Sequence, residues 1–124
     1  MSTTDERRQQ ARLQRDDKLL IQVLSASESP ELVGEILTCT AVDVSRTGLR
    51  LEVMHEAPVA SEIDLWIDVK GYAGKYFLHG CIVWCYEYDA ESRDFYLGIE
   101  IQDQPGTDYG EWQQMVAELD NEDA

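Results

Sequence analysis

The chain has 124 residues, of which 44% are hydrophobic, and its formal net charge is -15. This length predicts one domain with a single hydrophobic core. The negative charge argues against general binding to DNA, RNA or anionic membranes, because these surfaces attract a basic face. No apolar run approaches the roughly 18 residues needed to cross a bilayer, and the polar first residues lack the apolar core of a secretion signal. We therefore expect a cytoplasmic protein without membrane insertion.

The first 16 residues are polar and carry much of the positive charge. Five of the ten Lys and Arg residues fall within the first 18 positions, among them Arg7, Arg8 and Arg12. Apart from a lone leucine, Leu13, this segment shows no apolar period, so residues 1–16 are predicted to be a flexible arm. A basic arm on an acidic protein favours the binding of a compact anion over that of a long polyanion. The alternative is that the arm is only solvated and binds no ligand.

Alternating apolar residues predict six strands in the middle of the chain. The expected spans are 18–27, 32–42, 49–54, 62–69, 76–88 and 95–101. Gly80 interrupts the fifth strand and predicts a bulge or a barrel corner. Because no helical segment separates these strands, we expect an all-β, antiparallel barrel over residues 17–104.

The periodicity changes to that of a helix near the C-terminus. The apolar residues that recur at helical spacing are Tyr109, Trp112, Met115, Val116 and Leu119. Asp108, with Glu111 three residues later, is a capping-box-like start. Residues 105–124 are therefore predicted to form a C-terminal amphipathic helix and an acidic tail.

The hexapeptide from Asp43 to Gly48 joins the second and third predicted strands. Asp43 and Ser45 can bond to nearby backbone groups, and Gly48 can adopt a positive φ at no steric cost. These properties predict a tight turn between two strands, and a simple hairpin turn is the plain interpretation.

The sequence offers no recognisable catalytic constellation. Neither histidine lies in a known motif, and no Walker or HExxH pattern is present. The three cysteines, Cys39, Cys81 and Cys85, lack metal-ligating spacing and are interpreted as small buried core residues. We therefore predict a protein that is not an enzyme and that carries no metal and no cofactor.

Several short motifs resemble those of the PilZ domain family, which are receptors for the bacterial second messenger cyclic di-GMP. The run from Glu6 to Arg12 is similar to the family's ERRxxxR arm, and the hexapeptide is similar to its [D/N]xSxxG turn. The segments 80–84 and 97–101 resemble its late strands, although the last one ends in Ile101 where an aromatic residue is often found. The resemblance covers residues 5–120 and implies a six-stranded antiparallel PilZ-type β-barrel with a flexible N-terminal arm.

The resemblance also implies roles for individual residues. Arg8 and Arg12 would hold phosphates and guanine edges, Asp43 and Ser45 would contact guanine or phosphate from the barrel, and Gly48 would allow close approach of the backbone.

Four further residues are candidates, of which Arg46 and Arg50 are of the second rank. An arginine at the position of Arg7 tends to accompany a stacked pair of ligand molecules, so one or two bound molecules remain open. Trp84 matches an aromatic residue that can flank a base, with a buried core tryptophan as the alternative. Arg46 and Arg50 are further expected contacts.

The function implied is a stand-alone cyclic di-GMP receptor and adaptor. Its arm would change on ligand binding and so signal to a protein partner that the sequence does not identify. The alternative is a ligand-free PilZ-like module for protein interaction, whose arginine arm contacts an acidic partner directly.

Overall fold

A computed structural model describes residues 13–14, 16–72 and 74–123. Within these residues the chain forms seven strands and one α-helix. They are β1 (Leu13–Gln14), β2 (Lys18–Ser25), β3 (Ile36–Val44), β4 (Gly48–Val53), β5 (Glu62–Asp68), β6 (Lys75–Asp89), β7 (Asp94–Gln102) and α1 (Tyr109–Asp123). Among the described segments, no helix has the length and apolarity that a membrane crossing requires.

The strands β2 to β7 close into a barrel. Hydrogen-bonded neighbours follow the order β3-β2-β5-β6-β7-β4, every pair is antiparallel, and β4 pairs back onto β3. In β4 the side chains of Leu49, Leu51 and Val53 are buried while their neighbours are half-buried. This alternation places one face of each strand in the barrel interior, and the predicted six-stranded antiparallel barrel is confirmed.

The start of the described chain corrects part of the predicted arm. Leu13 pairs with Val44, and Gln14 pairs with Asp43, so β1 lies on the same edge of β3 as β2. The side chain of Leu13 is only 7% exposed and joins the core. These two residues therefore belong to the barrel. The candidate ligand residues Arg7, Arg8 and Arg12 lie outside the described residues.

Two local features differ from the sequence-based expectations. The chain makes a 3₁₀ turn at Pro30–Leu32, and Gly34 has a φ of 88°, so β3 begins only at Ile36. The predicted bulge is not at Gly80, which pairs regularly with Ile63 and Ile101; the register of β6 against β7 shifts instead between Ile82 and Trp84.

The helix α1 packs its apolar face on the barrel, as predicted. Trp112 is fully buried, and its ring meets that of Tyr76 edge to face at 5.8 Å between centroids. The carboxylate of Asp108 accepts a hydrogen bond from the Phe77 amide at 2.8 Å, and the Asp108 amide donates to the Phe77 carbonyl at 2.8 Å. Asp108 thus fastens the start of the helix to β6. The helix continues to Asp123, beyond Leu119, the last apolar residue of the helical pattern.

Candidate ligand-binding site

The loop between β3 and β4 is held from both sides. Ser45 is fully buried, and its amide and its hydroxyl both donate to the carbonyl of Gly48, at 2.8 and 3.2 Å. From the helix, Trp112 Nε1 donates to the Ser45 carbonyl at 3.3 Å and Gln113 Nε2 donates to the Arg46 carbonyl at 3.4 Å. The loop is therefore fixed in place by α1, which makes it a rigid platform at the barrel surface.

Gly48 does not have the expected left-handed conformation. Among the glycines that the structure describes, positive φ values occur at Gly34, Gly71, Gly74 and Gly106. Gly48 is instead the first residue of β4 and lies opposite Glu100 of β7. The turn closes through the hydrogen bonds of Ser45, so it has no need of a left-handed glycine.

An ion pair between Asp43 and Arg50 lies beside this loop. The two residues are opposite each other in the β3–β4 pairing, and Arg50 Nη2 is 2.9 Å from Asp43 Oδ2. Asp43 is only 5% exposed. The guanidinium carbon of Arg50 lies 5.3 Å from the centroid of the Tyr96 ring, within range of a cation–π interaction. The Arg50 Nε is buried and has no hydrogen-bond partner among the described residues.

The ion pair forms one end of a surface cleft of about 530 Å³. The cleft is lined by Asp43, Thr47, Leu49, Arg50, Val83, Trp84, Gly98, Ile99 and Glu100. It lies across β4, β7 and β6, because Gly98 is paired with Arg50 on one side and with Trp84 on the other.

Gly98 is the residue that gives the cleft its shape. A Cβ atom at this position would lie 2.6 Å from Trp84 Cδ1 and closer still to Trp84 Cε2 and Nε1. The indole ring can therefore lie over β7 only because position 98 has no side chain. Trp84 is 41% exposed, so one part of the ring packs on β7 and another part faces solvent.

Together, these groups suit a planar polar ligand. The carboxylate of Asp43 only accepts hydrogen bonds, the guanidinium of Arg50 only donates them, and the indole offers a flat apolar surface. A heterocycle that carries both donors and acceptors on its edge would match all three groups.

Comparisons with known proteins identify the family of this chain. The family model for the PilZ domain matches residues 6–118 of the chain. The chain is a member of the PilZ domain family. No curated protein matches this PilZ domain significantly.

Two of the solved structures that share the fold come from Bacillus subtilis and Escherichia coli. One is the inhibitor of motility MotI/DgrA from Bacillus subtilis, with a TM-score of 0.67 and 15% sequence identity over 94% of this chain. The PilZ domain spans about half of that structure, 52% of its length. The other is the PilZ domain of YcgR from Escherichia coli with cyclic di-GMP, with a TM-score of 0.61 and 14% identity over 94% of this chain and 93% of that one. At these identities the likeness shows the fold.

The structure brings some of the predicted site residues of this PilZ domain together and separates others. Asp43 and Trp84 line the same cleft, and the exposure of Trp84 argues against a buried core tryptophan. Ser45 lies buried in the adjacent loop. Arg46 does not line the cleft but borders a smaller pocket of about 160 Å³ against α1, which includes Asp120.

Sequence reasoning ranked Arg50 second and missed Gly98 and Tyr96 as parts of the site. The position of Arg50 could have been inferred from the hairpin of β3 and β4. Once Val44 pairs with Leu49, Asp43 lies opposite Arg50. The roles of Gly98 and Tyr96 depend on how β7 is paired, which no local pattern reveals.

The cysteines of the PilZ domain are only partly the buried core residues that were expected. Cys39 is buried, and burial raises the pKa of its thiol to about 12. Cys81 and Cys85 are half-buried, and none of the three forms a disulfide. The pKa of the Cys81 thiol is also raised, first by desolvation and then by the charges of Glu100 and Glu62.

On β6, two residues before Cys81, a histidine lies between two acidic side chains. His79 is buried and contacts Asp64 through Nδ1 at 3.0 Å and Glu62 through Nε2 at 3.3 Å. Within the part of the chain that the structure describes, no group of three or more His, Cys, Asp or Glu residues is arranged to hold a metal ion.

Proposed function

We propose that this PilZ domain is a receptor for cyclic di-GMP that works by binding and not by catalysis. It would act in the cytoplasm and report the ligand to a protein partner. The observation that carries the proposal is the cleft in which Asp43, Arg50 and Trp84 converge beside the Ser45 loop. Membership of the family and the cyclic di-GMP in the YcgR PilZ structure support this choice of ligand.

The edges of guanine match the groups in the cleft. Guanine carries N–H donors on its N1 and N2 atoms, which suit the acceptor-only carboxylate of Asp43. Its O6 and N7 atoms are acceptors, which suit the forked donors of Arg50. The face of the base would stack on the exposed part of Trp84, an interaction worth about 1–3 kcal/mol per base.

In the described structure Asp43 and Arg50 bind each other, so the ligand must replace this pair. The Arg50 Nε has no partner among the described residues, and a buried donor without a partner costs about 1–3 kcal/mol. Rotation of the guanidinium towards a base would remove that cost. A new partner for Nε would offset part of the cost of breaking the ion pair, and the N–H groups of guanine would have to replace Arg50 at the Asp43 carboxylate.

The course of the chain supports a role for the arm. Leu13 and Gln14 are fixed on β3 next to Val44 and Asp43, and Arg12 is bonded directly to Leu13. The arm thus joins the barrel at the strand that carries Asp43. We propose that Arg8 and Arg12 bind the phosphates and guanine edges, and that Arg7 adds a contact when two ligand molecules stack.

Closure of the arm would be the output of the receptor. Ordering each residue costs about 1–2 kcal/mol of backbone entropy, so the bound state must be stabilised by several charge-assisted hydrogen bonds to phosphate. A closed arm presents a different surface from an open one, and a protein partner can distinguish the two.

Calorimetric titration with cyclic di-GMP, with GTP as the control, tests the receptor. We expect saturable binding of the cyclic dinucleotide alone, and the stoichiometry will give one or two molecules. Replacing Arg8→Ala or Arg12→Ala should weaken binding by at least about 1.5 kcal/mol, roughly tenfold. Arg15→Ala, an arginine close in the sequence but outside the motif, is the matched control. Asp43→Ala should also lose affinity, with thermal stability measured alongside to detect a defect in the fold.

Limited proteolysis with trypsin tests the arm. Bound cyclic di-GMP should slow cleavage after Arg8 and Arg12 if the arm closes over the ligand. Ligand binding without protection of the arm would support the receptor function and refute the closure of the arm. The absence of both heat and a shift in melting temperature would instead favour the ligand-free interaction module.

A further inference from the structure

The second half of β6 has an open edge. Up to Cys81 this strand pairs with β5, and Ile82 exchanges hydrogen bonds with Ala60 and Ser61, at 2.7 and 2.9 Å. From Trp84 to Asp89 it pairs with β7 on one side, and Val83 lies at a register shift. On the other side, none of the described residues bonds to the backbone of residues 83–89. In an antiparallel strand every second residue directs its N–H and C=O groups to such an edge, so they can receive another strand.

A groove runs beside this edge. It has a volume of about 720 Å³ and includes Cys85 of β6 together with Met54 and Val59, which are 73% and 54% exposed. On the opposite face of β6, Tyr86 is 60% exposed. An added strand could therefore place alternate side chains in the groove and over the tyrosine.

The charge around the groove indicates what could bind there. Glu28, Glu31 and Glu56 line it, against a single arginine, Arg93, whose guanidinium lies 5.7 Å from the centre of the Phe95 ring. The edge itself ends in further acids of the β6–β7 hairpin. A segment with Lys or Arg side chains complements these charges.

The same charges disfavour pairing with a second copy of the chain. Each copy has a net charge of -15, and a symmetric contact would bring the acids of two hairpins together. The register shifts in β6, between Ile82 and Trp84 and between Glu87 and Asp89, also disturb the flat edge that self-association needs. They leave Trp84 to Glu87 in regular pairing with β7, a short edge that suits a short peptide.

We propose that the open edge of β6, residues 83–89, with the groove of Met54 and Val59, binds an extended basic and apolar segment of a partner protein as an added strand. Main-chain hydrogen bonds would hold the segment, apolar side chains would enter the groove, and basic side chains would face the glutamates. The groove shares no lining residue with the ligand cleft, although the open edge begins at Val83 and Trp84, which also line that cleft. The inference does not depend on cyclic di-GMP.

The test uses three synthetic heptapeptides and the full chain at physiological salt. The first peptide alternates Lys and Val, the second alternates Glu and Val, and the third is the Lys peptide with every backbone amide methylated. We expect only the first to bind, because the second has the wrong charge and the third cannot donate backbone hydrogen bonds from either edge. Hydrogen exchange should show new protection at residues 83–89. Equal binding of the methylated peptide, or protection elsewhere, would overturn the proposal.

Variants of the groove complete the test. Glu31→Lys with Glu56→Lys, both at exposed positions, should weaken binding of the Lys peptide at least tenfold, whereas Glu118→Lys on α1 should change it less than twofold. A lack of binding at millimolar peptide would refute the site. Strong protection in the free protein of those amides of residues 83–89 that face the open edge would also refute it, since the chain itself would then cover the edge; the amides that bond to β7 are protected in either case.

Discussion

Replacing Gly98→Ala should damage the cleft and spare the barrel. The new methyl group would collide with the Trp84 indole, at 2.6 Å from Cδ1 and closer to Cε2 and Nε1, so the ring must turn away from β7. Trp84 is already 41% exposed, and it can turn into solvent without disturbing the core. We therefore expect the free energy of unfolding to fall by no more than about 1 kcal/mol.

The effect on the ligand should be larger than the effect on stability. If a guanine stacks on Trp84, loss of the ring removes about 1–3 kcal/mol of binding free energy, which raises Kd about 5- to 150-fold. Trp84→Ala should have a similar effect. The double variant should lose little more than either single variant, because both changes remove the same contact.

Calorimetric titration with cyclic di-GMP measures the binding, and urea unfolding measures the stability. Gly110→Ala is the matched control, since a Cβ there meets nothing within 4 Å, and it should leave the affinity unchanged. Tryptophan fluorescence will report whether the Trp84 ring has moved. A Gly98→Ala protein with a moved ring and an affinity within twofold of the original would show that Trp84 does not contact the ligand.

Two further predictions concern the contact between α1 and the Ser45 loop, and the pH dependence of the protein's stability. Trp112→Phe removes the hydrogen bond to the Ser45 carbonyl and leaves a cavity, so the free energy of unfolding measured in urea should fall by about 2 kcal/mol. The same variant should bind the ligand more weakly. As a control, Trp66→Phe at a half-buried position should lower the free energy of unfolding by less than about 1 kcal/mol. The pKa of the Cys39 thiol is raised from 9.0 to about 12, so the unfolded chain loses this proton first and stability should fall between those pH values. Melting temperatures measured over this pH range should fall less steeply with pH for Cys39→Ala than for the original protein, and equal slopes for the two proteins would contradict the role of Cys39.

The fold was largely predictable because its elements have strong local periods. Leu49, Leu51 and Val53 alternate with polar residues and form β4, and the helical spacing around Trp112 forms α1. Leu13 could not be recognised in this way, because a single apolar residue has no period and its burial depends on pairing with Val44, far along the chain.

One strand boundary was misplaced although its signals were present. Leu32 and the apolar residue after it resemble the start of a strand. Pro30 and Gly34 instead direct the chain through a 3₁₀ turn and a left-handed residue before β3 begins.

The motif from Asp43 to Gly48 could be recognised in the sequence, but the position of Trp84 over Gly98 could not. Ile82 pairs with Ile99, and the register shift at Val83 then pairs Trp84 with Gly98. Without the shift, Val83 would occupy the place opposite Gly98. A one-residue change of register thus decides which side chain lies over β7, and such a change is set by the whole barrel.

The short strand β1 gives the arm a fixed origin. Because Leu13 is held on β3, the separation of about five residues keeps the backbone of Arg8 within about 18 Å of Leu13. A tethered group of this kind has an effective local concentration of the order of millimolar. A ligand in the cleft would therefore meet the arginines in an intramolecular step, and the same arm supplied as a separate peptide would need to reach that concentration to act equally well.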